Sequence, residues 1–217
     1  MGIVGVLLVI YLPKPNGPVD PTTPPVSTTL PTTSASSTTI EIPTTAEPSE
    51  LEQNVNAAVR LAEEAEQKAN KADQLARQAE IRAKSKATPD CGPIKWSRGE
   101  DAGFTYYGEK KNGTVHGYGV FYRRHVGKDN YTYSGMFEDG LLQGHGIRTD
   151  EECVYAGEIY RADRTGYGVK SLFKDGTVQK GRFIKGKLNG YGAEYNADGS
   201  LKRHGLWENG KLIEKVK

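Results

Sequence analysis

Cysteine is nearly absent from this chain, with two in 217 residues, and neither Cys91 nor Cys153 stands at the spacing of a metal site. A disulfide framework is therefore excluded as the source of stability; one bridge between the two would require Cys91 to fold back across two hairpins. Long apolar runs are missing too. The longest, from Gly2 to Leu12, is shorter than the roughly 17–25 residues a spanning helix needs, and it lacks a basic n-region and a small-residue cleavage site. It reads as a marginal signal-anchor, with insertion in a bilayer or burial in a partner as its two outlets. Myristoylation at Gly2 wants Ser or Thr where Val6 stands. Charge of one sign is also scarce. Residues 1–90 hold 8 basic and 11 acidic side chains and residues 91–217 hold 21 and 16, giving the net +2. So thin and scattered a surplus is not a nucleic-acid footprint. No nucleophile elbow, phosphate loop or HExxH is written, and His116, His125, His145 and His204 lie at no ligand spacing. No catalytic, metal or cofactor site is expected.

What the chain has in excess is glycine, 26 residues in a repeated frame, G-x₄-G-x₃-G-x-G. The copies are Gly108, Gly113, Gly117, Gly119; Gly135, Gly140, Gly144, Gly146; Gly157, Ala162, Gly166, Gly168; Gly181, Gly186, Gly190, Gly192; and an unfinished Gly205, Gly210. A period of 22–27 residues is that of one supersecondary unit which cannot bury its face alone. Tyr133, Gly135 and Phe137 alternate as in a strand, and Glu138-Asp139-Gly140 reads as a tight turn needing positive φ. Each copy is thus a predicted hairpin. Its paired glycines leave one face bare, against which Phe137, Phe183 or Trp207 can lie, and the pleat sends Tyr118, His145, Tyr167 and Tyr191 to the other face.

Tyr133-Ser134-Gly135 with Phe137 resembles, at every position, the MORN (membrane occupation and recognition nexus) repeat, close to Y-x-G-x-[FW]-x-x-G-x-x-x-G-x-G. Tyr106-Tyr107-Gly108 has Lys110 in place of the aromatic, Tyr155-Ala156-Gly157 has Ile159 and Ala162, and the last two copies carry Gln179 and Arg203 where the tyrosine stands. The resemblance covers about residues 104–217 and implies a single-layer antiparallel sheet.

The preceding residues differ in kind. Residues 13–48 are Pro, Thr and Ser with hardly a charge or aromatic, which reads as a disordered linker or an O-glycosylated stalk. Asn112 and Asn130 stand in sequons. Then Leu51, Val55, Ala58, Ala62, Ala65, Ala69, Ala72, Ala76, Ala79 and Ala83 follow one another at 4-3 spacing, a coiled-coil seam within residues 49–88, with Ser49 and Glu52 as a capping box and Pro89 beyond the end. A homo-oligomer through residues 51–83 is expected, with a lone helix packed on the repeats as the alternative.

The fold class expected is mixed and modular: an apolar segment (1–12), a linker (13–48), a coiled-coil helix (49–88) and an all-β repeat domain (91–217). The function expected is that of a non-catalytic, membrane-associated stalk, its head on a cell or virion surface, binding protein or glycan. Binding is assigned to Tyr106, Tyr133, Tyr155, Phe137 and Phe183. The alternative is a cytosolic protein holding anionic phospholipid through Lys110, Lys111, Lys180, Arg182, Lys185 and Lys187.

Overall fold

The computed structural model describes residues 48–86, 88–96, 103–124 and 130–216; the apolar segment, all but the last residue of the linker, and His125 lie outside them. Helix α1, Glu50–Ser85, begins where the capping box places it, with the Ser49 hydroxyl accepting from Glu52 N at 3.2 Å. Eleven strands follow: β1 Cys91–Trp96, β2 Phe104–Lys111, β3 Thr114–Arg123, β4 Tyr131–Glu138, β5 Leu141–Thr149, β6 Cys153–Tyr160, β7 Asp163–Leu172, β8 Val178–Ile184, β9 Lys187–Tyr195, β10 Leu201–Glu208 and β11 Lys211–Lys215. They form one open antiparallel sheet in sequence order. β1 precedes the glycine frame and was not legible from it.

The glycine frame becomes a ladder. Gly92, Gly108, Gly119, Gly135, Gly146, Gly157, Gly168, Gly181, Gly192 and Gly205 are directly paired, each with the next, across ten strands. Beside this row each two-strand unit shifts register, between Gly135 and Phe137 for example, so that Met136 bulges. The bare row is where the tyrosines lie. A Cβ on Gly146 would stand 2.5 Å from the Tyr133 hydroxyl, and Gly119 and Gly168 face Tyr106 and Tyr155 in the same way. Each hydroxyl reaches across to donate to the carbonyl of the bulged residue: Tyr106 to Glu109 (2.6 Å), Tyr133 to Met136 (3.1 Å) and Tyr155 to Glu158 (2.9 Å). Tyrosine, rather than the phenylalanines and tryptophan of the sequence reading, is thus the ring that covers the glycines in the first three copies. Where Gln179 replaces it, Leu188 fills the space beside Gly181 and Gly192, and Trp207 Nε1 donates to the Gly192 carbonyl at 2.9 Å.

The core runs along this face from hairpin to hairpin. Tyr106 meets Phe137 edge-on with centroids 5.0 Å apart, Phe137 meets Tyr133 at 5.2 Å, and Tyr155 meets Phe183 at 5.4 Å. The turns join the units as well. Gly140, Ala162, Gly186 and Gly210 N–H groups donate to the carbonyls of Val115, Leu142, Arg164 and Leu188 in the preceding hairpin.

The opposite face carries α1, so the expected single layer is a sheet with a helix across it, and the coiled-coil reading of the seam needs correction. Val55, Ala58, Ala62, Ala65, Ala69, Ala72, Ala76, Ala79 and Ala83 are all buried within one chain, and the helix touches strands β1 through β10. Beneath it lies a row of mostly small residues paired across the strands, Val120, Ser134, Ile147, Ala156, Val169, Lys180 and Ala193. Small residues on both sides permit close approach. The 4-3 pattern has a second origin here: a heptad advances a helix by about 10.5 Å, and a two-strand hairpin repeats every 9.6 Å or roughly so. A helix laid across the strands therefore presents one heptad to each hairpin, as it would to a neighbouring helix in a coil.

Candidate interaction surface

The five residues assigned to partner binding are core. Tyr106, Tyr133, Tyr155 and Phe183 are 0% exposed and Phe137 is 1%. Their hydroxyls are engaged within the repeat, and desolvation pushes all three tyrosine pKa values well above the ordinary phenol range. They cannot meet a partner without unfolding a hairpin. The sequence alternation located this face correctly but could not say that neighbouring hairpins would cover it. Asn112 and Asn130 are exposed, Asn112 in the first hairpin turn.

Polar contacts fasten α1 to the sheet. Ser134 Oγ bonds to the Asp73 carboxylate; Tyr122 Oη donates to Glu80 Oε1 at 2.6 Å, an oxygen that Lys84 Nζ of the helix itself also holds at 2.6 Å; Lys180 Nζ reaches Glu63 at 2.7 Å; and Arg82 meets Glu109 at 3.0 Å. Glu80 is buried and so depends on these partners. The link from Glu109 continues inward, since its second carboxylate oxygen accepts from Tyr118 N at 2.9 Å, as Glu158 does from Tyr167 N at 2.8 Å.

Both cysteines are free thiols. Cys153 is fully buried in a cluster with Arg164 Nη1 at 3.0 Å and Asp150 Oδ1 at 3.4 Å, beside a cavity of about 190 Å³ lined by Asn130, Arg148, Asp150, Glu151, Glu152 and Arg164. Burial raises the thiol pKa, with Asp150 adding to the rise and Arg164 opposing it, so this sulfur is a packed group. The described histidines, His116, His145 and His204, stay on separate hairpins. His116 Nδ1 lies 3.5 Å from Asp139, and His145 Nε2 lies 4.0 Å from Glu158. Burial lowers the His145 pKa and Lys68 adds to this, against the pull of Glu158. Among the described residues no three His, Cys, Asp or Glu side chains are placed to hold a metal, and no helix is long and apolar enough to cross a membrane.

One part of the helix-bearing face is open. Strands of 8–10 residues are about 26–33 Å long, whereas a helix is about 10–12 Å wide. Between α1 and the hairpin turns runs a shelf. Its inner row is Tyr118, His145, Tyr167 and Tyr191, one half-buried ring per hairpin, as the alternation foresees. Met136, paired with Tyr118, stands in that row at 41% exposed, and the outer part holds Leu141, Tyr160 and Ile184, which are 46%, 55% and 36% exposed. At one end Tyr118, Met136 and His145 line a cavity of about 210 Å³ with Lys68, Lys71 and Ala72 of α1.

No protein-family model matches this chain, and none of the curated proteins matches it.

Proposed function

We propose that this chain is a non-catalytic scaffold, in which a sheet of hairpin repeats braced by its own helix presents the shelf beside that helix to a macromolecular partner, protein or glycan. The observation that carries this reading is the periodic row of half-buried rings with exposed apolar neighbours, on the face opposite the one whose rings form the packed core. Identification of the hairpins as MORN repeats is part of the proposal. The tyrosine that crosses a glycine and bonds the bulged carbonyl, found in three copies, supports it by giving the Tyr-x-Gly frame a physical reason. An anchor in residues 2–12, a spacer in 13–48, glycans on Asn112 or Asn130 and a place at a membrane or a cell or virion surface complete the proposal. Self-association through residues 51–83 would use the outer stripe of α1 or an exchanged helix, because the seam is covered.

The phospholipid reading is weaker in three dimensions. Lys180 is committed to Glu63, and Lys110 and Lys111 on β2 stand six strands from β8, about 29 Å away. Charges so far apart are screened from one another at physiological salt. A photo-crosslinking side chain at Tyr167, compared with one at Gln67 on the outer helix, tests the proposal. Protein or glycan adducts at Tyr167 and none at Gln67 are expected. Phosphatidylserine vesicles that sediment the chain, and cease to do so in the Lys185→Glu/Lys187→Glu variant, would favour phospholipid instead.

A further inference from the structure

Resting on the scaffold reading, we propose that the partner element seated on the shelf is an amphipathic α-helix, lying alongside α1 and carrying acidic residues on the flank turned toward it. Three observations lead there. The first is spacing. Tyr118, His145, Tyr167 and Tyr191 stand on β3, β5, β7 and β9, so they recur every second strand, roughly 9.6 Å apart. Side chains one heptad apart on a helix recur at about 10.5 Å, and α1 shows within the same molecule that a helix laid across these strands meets each hairpin with equivalent residues. An extended strand crossing them offers same-face side chains at about 6.6 Å and falls out of step after one hairpin.

The second observation is room. From the row beneath α1 at Val120 to the end of β3 at Thr114 is six residues, about 20 Å of strand, enough for one more helix and not for two. The wall of that space is the flank of α1 on which Leu61, Lys68, Leu75 and Arg82 recur at seven-residue intervals. Leu61 is exposed there, and Arg82 reaches Glu109 on the shelf side.

The third is charge. Among the described residues Lys68 and Lys71, which line the cavity beside Tyr118, form no ion pair, and neither do Arg182 and Lys187 on the floor and rim or the exposed Glu64 one turn from Lys68 on the same flank of α1. Glu109 is held by Arg82 and Tyr118 N, Glu158 by Tyr167 N, and Glu138 by Gln143; Asp163 stands at the outer rim. Glu138, Glu158 and Asp163 keep their charge along the shelf, so the positive charge left to be matched is local, at Lys68 and Lys71 beside the cavity. The cavity formed by Lys68, Lys71, Tyr118, Met136 and His145 takes one large apolar side chain of the incoming helix, with a carboxylate beside it.

The test uses the full chain and a synthetic peptide of about four heptads, a length of about 42 Å, with Leu at a, Ala at d and Glu at e and g. A second peptide with Lys at e and g, and a third with the first composition in scrambled order, serve as controls. Saturable binding of the Glu peptide by titration calorimetry is expected, at least about tenfold tighter than either control. Amide shifts should change at Tyr118, His145, Tyr167 and Tyr191 and not on the tyrosine core face. Lys68→Glu/Lys71→Glu should invert the preference between the Glu and Lys peptides, and Leu141→Glu should weaken binding about tenfold with an unchanged melting temperature. No binding, equal binding of the scrambled peptide, or shifts elsewhere would overturn the helix. A crosslink from Tyr167 to a glycan or an extended segment would overturn it too while leaving the scaffold standing, and no crosslink at all would remove both.

Discussion

Ala162 stands at the second turn position, where the other four hairpin turns have glycine, and its side chain opposes its own backbone. The five turns use Asn112-Gly113, Asp139-Gly140, Arg161-Ala162, Lys185-Gly186 and Asn209-Gly210, with both members at positive φ. At Ala162, φ is 69°, a conformation that costs a residue with a Cβ about 1–2 kcal/mol. Ala162→Gly should therefore raise stability by about 0.5–1 kcal/mol after the added chain entropy of glycine; a loss in urea unfolding would refute the strain. Tyr133→Phe should lower stability by about 1 kcal/mol, since it strips the Met136 carbonyl of its donor. A hydroxyl reserved for a partner would give no loss. Asp150 sets a pH dependence. Burial alone would raise its carboxyl pKa, but Arg164 at 2.8 Å and the N–H groups of Cys153 and Glu152 hold it below the usual range. Its stabilisation is complete above about pH 4 and is lost as pH falls through the lowered folded value. Asp150→Asn should cost about 2 kcal/mol at pH 7, and the gap between variant and parent should close in acid denaturation curves below pH 4.

At the scale of the element, α1 and the hairpins were legible to different depths. The helix's start came from Ser49 and Glu52, and its buried stripe from the alanines, yet the same alanines fit two partners. A 4-3 spacing is demanded equally by a facing helix and by hairpins repeating at nearly the same interval, so sequence alone left the partner open. The turns were legible because Asn-Gly and Asp-Gly need positive φ. The burial of Tyr106, Tyr133 and Tyr155 was not, because whether a ring on one hairpin is covered depends on what the next hairpin brings. The shelf was half legible: alternation put Tyr118, His145, Tyr167 and Tyr191 on one face, but only the position of α1 shows how much of that face stays open. The two origins of the seam make opposite predictions for Ala76, which is 0% exposed. In a coiled coil, Ala76→Leu would add burial and strengthen association. Against the sheet, with small residues on both sides, it should destabilise by about 1–3 kcal/mol, while Gln74→Leu on the exposed side should change stability by less than about 0.5 kcal/mol.

For the whole molecule, repeat arrays ordinarily gain stability unit by unit from nearest neighbours, and the turn amides and ring contacts here are couplings of that kind. The helix adds a coupling of longer range, since it touches strands from β1 to β10. Its 36 residues span about 54 Å, and the ten steps between eleven strands span about 48 Å. The agreement is close but not perfect, and the residue of the comparison matters. Heptad and hairpin differ by about 0.9 Å, so the two scales act as a vernier: coincident at one point, they drift apart with every added unit. Over five hairpins the drift is about 4.5 Å, nearly half a hairpin, and further units would set alanines against the gaps between rows. The rod thus measures the array and caps it. Inserting one hairpin together with one heptad should leave a docked helix, whereas inserting two of each should free the helix's first turns, seen as fast amide exchange from Leu51 to Ala58. Slow exchange there in the longer chain would mean that the sheet twists to follow the helix, and that the number of hairpins is set by something other than length.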